Sequence, residues 1–360
     1  MSIVLTDIPG KPGRFWGDNT TFVGPNKPPT WLLRSLGNRW AYNLTGLLAG
    51  LRLFARRSRC HGVVTDGGSS GMLFAWLQTL CPWGRKPHVL IDCLWEMPTS
   101  PWKAWFKQLR LRMAARSARR FVVWASHEAV DFPRAFGLPP DQFEYVPFHH
   151  TLHDYTYDAR DAGYLFAGGN SDRDYRTLVE AVREVDVPVW IASTRRDLFS
   201  GVDLPANVRV EATTPEGFRQ AMAGAKLIVV PMVPGTLRSG GQQTCLNAML
   251  LGKPTIAVGQ RWASDFIEDG VDGLIVDYAD PQSLCRAIRW VLENPEAARR
   301  MGERARQRAA WFTTERCMRA VRDLAVEESS STVPSQSRLE SVTDACTSGS
   351  LSRCAARCGQ

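Results

Sequence analysis

The sequence lacks most of the features that assign a protein class by themselves. Its nine cysteines form no C-x-x-C pair and, with six histidines, no spacing typical of a zinc site. No stretch of about 18 uncharged apolar residues is present, so no membrane-spanning helix is predicted. Hydrophobic residues make up 44% and charged residues 22%, which excludes a disordered, collagenous or coiled-coil chain.

The first residues and the cysteine count both bear on the cellular compartment. The opening segment, MSIVLTDIPG, lacks the charged and then apolar parts of a signal peptide. An odd number of irregularly placed cysteines is typical of reduced thiols. We therefore expect a cytoplasmic protein, and its 360 residues suggest about two domains.

Acidic residues are scarce in the first part of the chain. Residues 1–150 hold 19 basic and 9 acidic side chains, whereas the remaining residues hold 25 and 27. Nine of the 13 tryptophans also lie in residues 1–150. Basic charge interleaved with tryptophan predicts a polyanionic partner. An anionic membrane surface is favoured over nucleic acid, because no nucleic-acid-binding motif is present.

Two segments carry most of this charge. Residues 31–59 have six arginines and no acidic residue, and residues 101–120 have seven basic residues and no acidic one. Either their apolar faces pack on a sheet, or they lie on a bilayer with the cations toward the headgroups. We expect both in part, with most leucines in the core and the basic rim with some tryptophans on the membrane. The apolar face of the first segment comprises Leu33, Leu36, Trp40, Leu44, Leu47, Leu51 and Phe54. The candidate membrane contacts are Arg34, Arg39, Trp40, Arg56, Arg57, Trp102, Lys103, Trp105, Lys107 and Arg110.

Short β-like runs alternate with helical patterns along the chain, which predicts two doubly wound α/β units with parallel sheets. The first unit spans residues 1–150 and the second 163–312, with a polar linker between them. Two such units face each other across a cleft, and ligands bind at the carboxyl ends of the strands. The predicted strands are 3–6, 62–65, 89–91 and 121–124 in the first unit, and 164–167, 187–192, 208–211, 227–231, 255–258 and 274–276 in the second. Residues 327–360 are rich in Ser and Thr without apolar periodicity, and we expect a disordered tail.

A glycine-containing loop follows the strand at 227–231 and leads into a helix that begins near Gly241. Gly240 and Gly241 let the backbone approach a ligand closely. The first N–H groups of a helix lack internal partners and favour an anion, so a diphosphate is expected here. Arg238 is a candidate for neutralising it, and Ser239 either contacts the ligand or caps the helix.

The segments NAMLLGKPTIAV and FIEDGVDGLIVDYADPQSL resemble the C-terminal domain of GT-B glycosyltransferases of the family 4 (group 1) type. The resemblance covers about 160–312, and it implies a GT-B fold of two Rossmann-like domains. It further implies a nucleotide-sugar donor, a lipid-linked or saccharide acceptor, no bound metal or cofactor, and retention at the anomeric carbon. Residues 1–150 would bind the acceptor, and 313–326 would cross back to that domain.

One departure concerns two glutamates that this family carries eight residues apart. Ser239 and Asn247 stand at those positions, and neither supplies charge. Asn247 still offers a hydrogen bond to a hydroxyl, and the polar residues between them are Gln242, Gln243 and Thr244. They either contact the sugar or phosphate or point to solvent.

A second donor element follows the strand at 164–167, where Gly168 and Gly169 precede a helix. In the family this turn carries basic residues near the diphosphate, which makes Arg173 the candidate. Its alternative is an exposed arginine in a first helical turn.

Catalysis by retention needs no strong protein base, whereas inversion needs a carboxylate or histidine. Asp66, Asp92, Glu96 and His127 follow predicted strands of the first unit, and Asp92 is the chosen candidate by position. Gly67–Gly71 is either an acceptor-phosphate turn or simply a tight turn.

These observations predict a membrane-associated cytoplasmic glycosyltransferase, peripheral on the inner face of the cell membrane. Two alternatives share its fold: a non-catalytic binding protein, suggested by the missing glutamates, and a nucleotide-sugar epimerase.

Overall fold

A computed structural model describes residues 3–8, 15–17, 19–24, 27–93 and 95–326, and the Arg39 side chain is not among those described. The chain up to Val326 forms one compact unit. The predicted tail, 327–360, lies outside the described residues, so its disorder stays a prediction.

The first half of the chain forms a parallel sheet of six strands with the order β2-β1-β3-β4-β5-β6. Four strands lie where the hydrophobic runs predict them. The pattern missed β2 and β6, because their sequences, TTF and FEY, contain no apolar run. The strands are β1 (Val4–Thr6), β2 (Thr20–Phe22), β3 (Gly62–Asp66), β4 (His88–Ile91), β5 (Arg120–Val123) and β6 (Phe143–Tyr145).

Four helices connect the later strands of this sheet. Each crossover advances in the same direction across the strand order, so the right-handed rule places all four on one face. They are α1 (Thr30–Arg56), α2 (Ser69–Leu80), α3 (Pro101–Ala115) and α4 (Glu128–Phe136). Short 3₁₀ turns occur at Arg57–Arg59 and Pro140–Gln142.

The second half forms another parallel sheet of six strands, ordered β12-β11-β10-β7-β8-β9. Five of the six strands fall within the runs predicted from the sequence, and β7 extends one residue beyond its run, to Gly168. The strands are β7 (Leu165–Gly168), β8 (Val189–Ala192), β9 (Val208–Glu211), β10 (Leu227–Val230), β11 (Thr255–Val258) and β12 (Leu274–Val276). The helices are α5 (Tyr175–Ala181), α6 (Pro215–Gly224), α7 (Gln242–Leu250), α8 (Gln260–Ala263), α9 (Pro281–Glu293) and α10 (Pro295–Ala309), with a 3₁₀ turn at Arg196–Phe199.

Local capping fixes where several of these helices begin. The side chains of Asp174, Thr214 and Asp280 accept hydrogen bonds from backbone N–H groups three residues on, at 2.8–3.0 Å. Such caps satisfy donors that have no partner within the helix. Proline at the first position of α6, α9 and α10 fixes a helical φ without removing a needed hydrogen bond.

The last described helix, α11 (Thr314–Val326), leaves the second sheet and packs on the first. Met318, Val321 and Leu324 join one apolar cluster with Val64 of β3 and Val122 of β5. Arg322 donates a hydrogen bond to the carbonyl of Trp16 at 3.0 Å. Since α1–α4 cover the opposite face, α11 completes the burial of this sheet.

Helix α1 buries a different face from the one predicted. Its buried residues include Ala41, Ala49 and Leu53. Small residues let α1 approach α2 closely, and a Cβ at Gly50 would lie 2.7 Å from the carbonyl oxygen of Ser70. The expectation that most of the apolar stripe is core is therefore wrong: its members Leu36, Trp40, Leu44, Leu47 and Leu51 are 38–69% exposed.

Candidate functional site

The second sheet has the strand order of a dinucleotide-binding fold, and its order reverses between β7 and β10. Ligands of such sheets bind outside the carboxyl ends of the strands at this switch point. The loops that follow β7 and β10 are the two glycine-containing segments singled out from the sequence. Gly168 ends β7, and residues 235–241 follow β10. The topology therefore brings the two predicted donor elements together.

Arg173 links these two loops from within the protein. It is 7% exposed, and it donates hydrogen bonds to the carbonyls of Gly168 at 3.0 Å and Ser171 at 2.8 Å. It also reaches the sulfur of Met232 at 2.9 Å and the hydroxyl of Thr244 at 3.3 Å. The alternative of an exposed first-turn arginine is thus wrong.

The charge of Arg173 is held in an apolar setting. Burial lowers the pKa of its guanidinium, and the nearby Asp172 acts in the opposite direction. Within the part of the chain that the structure describes, Arg173 forms no ion pair. Its positive charge is therefore left without a carboxylate partner next to the two loops.

Helix α7 presents its first turn beside this cation. Its N-cap is Gly241, which has φ +88° and supplies no side-chain cap. A Cβ at Gly241 would lie 2.8 Å from Cγ1 of Val230, so glycine is required by both conformation and space. The uncapped N–H groups of α7 and the Arg173 guanidinium together suit a diphosphate.

Ser239 does not cap α7, because the helix begins three residues later. Its backbone N–H donates to a carboxylate oxygen of Glu128, at the start of α4. Its hydroxyl lies 3.3 Å from Nε2 of His127. The loop therefore contacts the first half of the chain across the cleft, and further contacts join Ser126 N–H to Asp265 at 2.8 Å and Arg261 to Asp131 at 2.6 Å.

Arg238 is not a free cation in this arrangement. Its guanidinium pairs with Asp172 at 3.0 Å and with Glu96 at 3.3 Å. A diphosphate would have to compete with these carboxylates for it. The predicted phosphate contact by Arg238 therefore requires that one or both pairs rearrange.

Polar residues of α7 line a cavity of about 160 Å³ beside the linker between the two sheets. The amide oxygen of Asn247 accepts a hydrogen bond from Thr151 N–H at 2.8 Å, and the amide group donates to the Thr151 hydroxyl at 3.0 Å. Gln243 also donates to that hydroxyl at 3.1 Å, so it does not simply point to solvent. Thr244 lines the same cavity, and Gln242 is 6% exposed.

The order of the first sheet reverses between β1 and β3, and a larger cavity of about 400 Å³ lies at that point. Asp7, Asp66 and Asp92 follow or end β1, β3 and β4, and all three line this cavity. Burial, and then the charge of Asp66, raise the pKa of Asp7 to about 7. Sequence reasoning missed Asp7, although its place directly after a predicted strand was the available signal.

Asp92, the predicted catalytic residue, has φ +50° and accepts a hydrogen bond from Trp124 Nε1 at 2.7 Å. Burial raises the pKa of its carboxyl, while the bond from Trp124 acts against this. The structure thus places Asp92 at the 400 Å³ cavity rather than beside Arg173. Its position suits contact with an acceptor rather than with a diphosphate.

The turn at Gly67–Gly71 does not offer a phosphate site. Asp66 Oδ1 accepts hydrogen bonds from Gly68 N–H at 2.8 Å and from the Ser70 hydroxyl at 3.2 Å. A carboxylate already occupies the start of α2, and it would repel a second anion. The tight-turn interpretation is the one that fits.

Helices α1–α3 form an outer helical surface that exposes large apolar side chains. Trp31, Trp40, Trp102 and Trp105 are 64–69% exposed, and Trp83, just after α2, is 79% exposed. Lys103 lies 5.5 Å from the ring of Trp102, and Arg110 lies 4.9 Å from that of Trp76. Such a surface combines apolar area with positive charge.

Most of the predicted membrane contacts lie on this surface. The side chains of Arg34, Trp40, Arg56, Trp102, Lys103, Trp105 and Arg110 are exposed, whereas that of Arg39 is outside the described residues. Two others are tethered. Lys107 donates to the carbonyl of Glu96, and Arg57 donates to the carbonyls of Phe54 and Trp83. Their charges are directed along the protein rather than away from it.

The described residues offer neither a membrane-spanning helix nor a cluster of metal ligands. None of the helices there is long and apolar enough to cross a membrane. No group of three or more His, Cys, Asp or Glu side chains that could hold a metal ion was found in those ranges.

The two facing parallel sheets are those of a GT-B glycosyltransferase fold. Sucrose-phosphate synthase from Thermosynechococcus elongatus shares it with a TM-score of 0.60 and 16% identity, over 91% of this chain and 88% of the synthase. Anabaena HepE in complex with UDP and glucose also matches with a TM-score of 0.60 and 17% identity, over 96% of this chain and all of HepE. The predicted fold class is confirmed.

Part of the second half is also similar in sequence to a known family. Residues 201–308 match the model of "Glycosyl transferases group 1". A putative glycosyltransferase, EpsD of Bacillus subtilis (strain 168), is 27% identical over 92 residues, which are 26% of this chain and 24% of EpsD. The resemblance that the motifs around Asn247 and Glu268 carry is therefore confirmed over residues 201–308.

Proposed function

We propose that this protein transfers a sugar from a nucleoside diphosphate sugar to a lipid-linked or saccharide acceptor at the cytosolic face of a membrane. The observation that carries the proposal is the buried, unpaired guanidinium of Arg173 beside the uncapped first turn of α7. The group 1 domain and the fold shared with glycosyltransferases support the same activity.

The leaving diphosphate is the group whose charge must be stabilised during transfer. Arg173 and the N–H groups that follow Gly241 would hold it, with no resident metal or cofactor assigned a part. Thr244 and Asn247 would contact the donor from the 160 Å³ cavity. Asp92, on the acceptor side, would orient the attacking hydroxyl. We also propose retention at the anomeric carbon. In such a reaction the departing phosphate can take the proton of the acceptor hydroxyl, so no strong protein base is needed.

The first test is calorimetric titration of the full chain with UDP, GDP and ADP, with UDP first because HepE is described with UDP and glucose. Binding of one nucleotide, and its release from the matching nucleotide sugar when membrane lipid extract is added, would support transfer. The anomeric proton couplings of the product would test retention. Absence of binding for all three nucleotides would contradict the proposal.

Membrane attachment is proposed from the outer helical surface. Each Lys or Arg near an anionic bilayer contributes about 1 kcal/mol, and exposed tryptophans add interfacial contact. The combined change W40S/W102S/W105S should abolish sedimentation with anionic vesicles at low salt. The matched control is Trp290→Ser, because Trp290 is 38% exposed on α9 of the second half. Equal vesicle binding by both variants would refute this surface as the contact.

One alternative has a specific observation behind it. Ser239 and Asn247 stand where the resembled family has glutamates, and Asn247 is already engaged with Thr151. A non-catalytic binding protein would bind a nucleotide with these groups but would not turn it over. Nucleotide binding without hydrolysis or transfer, across all donors and with lipid present, would favour that alternative.

A further inference from the structure

We propose that Glu96 of the first half competes with the donor diphosphate for Arg238, so that the diphosphate reaches this arginine only when the Glu96 side chain moves aside. Glu96 is then a negative regulator of the donor site, supplied by the facing half of the same chain. This inference rests on the proposed function, because it names a means of regulating the same site.

Arg238 stands between the two loops of the donor site. It precedes Gly241, the N-cap of α7, by three residues, and its guanidinium pairs with Asp172 of the loop after β7. A Cβ at Gly240 would lie 3.7 Å from Oδ2 of Asp172 and 3.9 Å from a guanidinium nitrogen of Arg173. These groups therefore surround one small region, which is the place proposed for the diphosphate.

The two carboxylates that pair with Arg238 are held differently. Asp172 contacts a terminal guanidinium nitrogen at 3.0 Å, and its side chain is only 21% exposed. Glu96 contacts Nε at 3.3 Å, and its side chain is 72% exposed. Because the two pairs use different nitrogens, Glu96 can leave while Asp172 keeps the guanidinium in place. A phosphate oxygen can then take the Nε edge, since a guanidinium binds oxyanions in this way.

Glu96 also has a second cation within reach. Lys107 of α3 donates a hydrogen bond from its ammonium group to the backbone carbonyl of Glu96. Burial lowers the pKa of Lys107, and the charge of Glu96 acts in the opposite direction. The backbone of Glu96 is thereby anchored, while its carboxylate can swing from Arg238 to Lys107. Rotation of one exposed side chain is sufficient for this exchange.

The donor loop is held against the first half by a contact that does not involve Glu96. Ser239 N–H donates to the buried carboxylate of Glu128, which also accepts from the N–H groups of Trp124 at 3.0 Å and Ala125 at 3.2 Å. This network fixes the loop before α7 whichever way the Glu96 side chain points. Removing the charge of Glu96 should therefore change the competition at the donor site rather than the closure of the cleft.

Titration calorimetry of the full chain with UDP, GDP and ADP, and with inorganic pyrophosphate as a probe of the diphosphate alone, tests this competition. Glu96→Gln keeps the size of the side chain and removes its charge. The nucleotide that binds the wild type, and pyrophosphate, should each bind this variant about three- to fivefold more tightly at low salt. The gain should shrink as salt is added, because the charges of an exposed ion pair are screened.

Asp131→Asn is the matched control. Asp131 also pairs with an arginine of the second half across the cleft, Arg261, so this change removes the same charge from the same half. Its nucleotide affinity should equal that of the wild type. In an Arg238→Gln background the further change Glu96→Gln should have no effect, since Arg238 is the group for which Glu96 competes.

The possible results separate this inference from the proposed function. Tighter binding in Glu96→Gln alone, and only with Arg238 present, supports the inference. It is overturned if Glu96→Gln binds no more tightly than the wild type, if Asp131→Asn gains as much, or if the gain persists without Arg238. Absence of nucleotide binding in both the wild type and Glu96→Gln overturns the proposed function, and this inference with it.

Discussion

The two sheets of this protein share an architecture and differ in what surrounds them. Of the large hydrophobic residues exposed within the described ranges, 17 precede residue 151 and only Tyr155, Leu204 and Trp290 follow it. The outer helices of the second sheet carry ion pairs instead, such as Arg289–Glu184 at 3.1 Å and Arg299–Glu296 at 3.3 Å. The second half thus has an outer surface of paired charges, and the first half one of exposed apolar side chains.

The strand ends differ just as much. The switch point of the first sheet carries the carboxyl groups of Asp7, Asp66 and Asp92, whereas that of the second carries glycines and the buried Arg173. The same position in the two sheets therefore carries side chains of opposite charge.

Replacing the cation of the second sheet should have the largest effect. Arg173→Ala leaves the carbonyls of Gly168 and Ser171 without their donor, and we expect a loss of about 1–3 kcal/mol in the free energy of unfolding together with loss of nucleotide binding. Chemical denaturation and UDP calorimetry would measure both. Arg176→Ala is the control, since that side chain is exposed and reaches only the carbonyl of Ser200. Similar behaviour of the two variants would remove Arg173 from the donor site.

The carboxyl groups of the first sheet should make the stability of the protein depend on pH. The native state keeps a proton on Asp7 up to about pH 7, whereas the unfolded chain loses it near pH 4. Stability should therefore fall as the pH rises through this window, by at most about 4 kcal/mol, since each pKa unit is 1.36 kcal/mol. The Asp7→Asn variant lacks this ionisable group. Its free energy of unfolding should therefore rise relative to that of the wild type from pH 4.5 to pH 8 in denaturant titrations. A constant difference across that range would show that Asp7 ionises normally.

The close approach at α7 allows a sharper comparison between two glycines of one loop. Gly235 and Gly241 both have positive φ, but a Cβ at Gly235 meets nothing within 4 Å, whereas one at Gly241 meets Val230. Gly235→Ala should cost about 1 kcal/mol for its backbone conformation alone. Gly241→Ala should cost about 1–3 kcal/mol more and weaken nucleotide binding. Equal melting temperatures for the two variants would contradict this packing.

The smallest effect is expected where the two halves meet at the surface. Arg261 and Asp131 form an ion pair across the cleft, with side chains 59% and 23% exposed. A double-mutant cycle with Arg261→Ala and Asp131→Ala should give a coupling of about 0.5 kcal/mol that declines with added salt. A coupling several times larger would mean that this pair holds the cleft closed.

The sequence was most informative for buried parallel strands. Runs such as Leu227–Val230 are apolar throughout, so all six strands of the second sheet were predicted. Strands β2 and β6 were missed because TTF and FEY contain no apolar run. The glycine loop and Arg173 were singled out from the sequence as candidates. The burial of Arg173 was not predicted, because it depends on Met232 and Thr244 from distant segments.

The wrong prediction for α1 has a physical reason. Leucines at three- and four-residue steps normally mark the buried face of a helix. Here Gly46 and Gly50 bring α1 so close to Ser69 and Ser70 of α2 that small residues form the buried face. Periodicity predicts which face of a helix is apolar. It does not predict whether that face packs inside the protein.

Helix α11 also bears on the order in which the molecule is made. The first sheet is synthesised early, yet Val64, Val122 and their neighbours are covered by Met318, Val321 and Leu324, which leave the ribosome among the last described residues. Until then that apolar face of the sheet lacks the cover that α11 provides. The second sheet has its own helices close at hand and can fold as soon as it emerges. The half that is translated first is therefore expected to reach its native packing last.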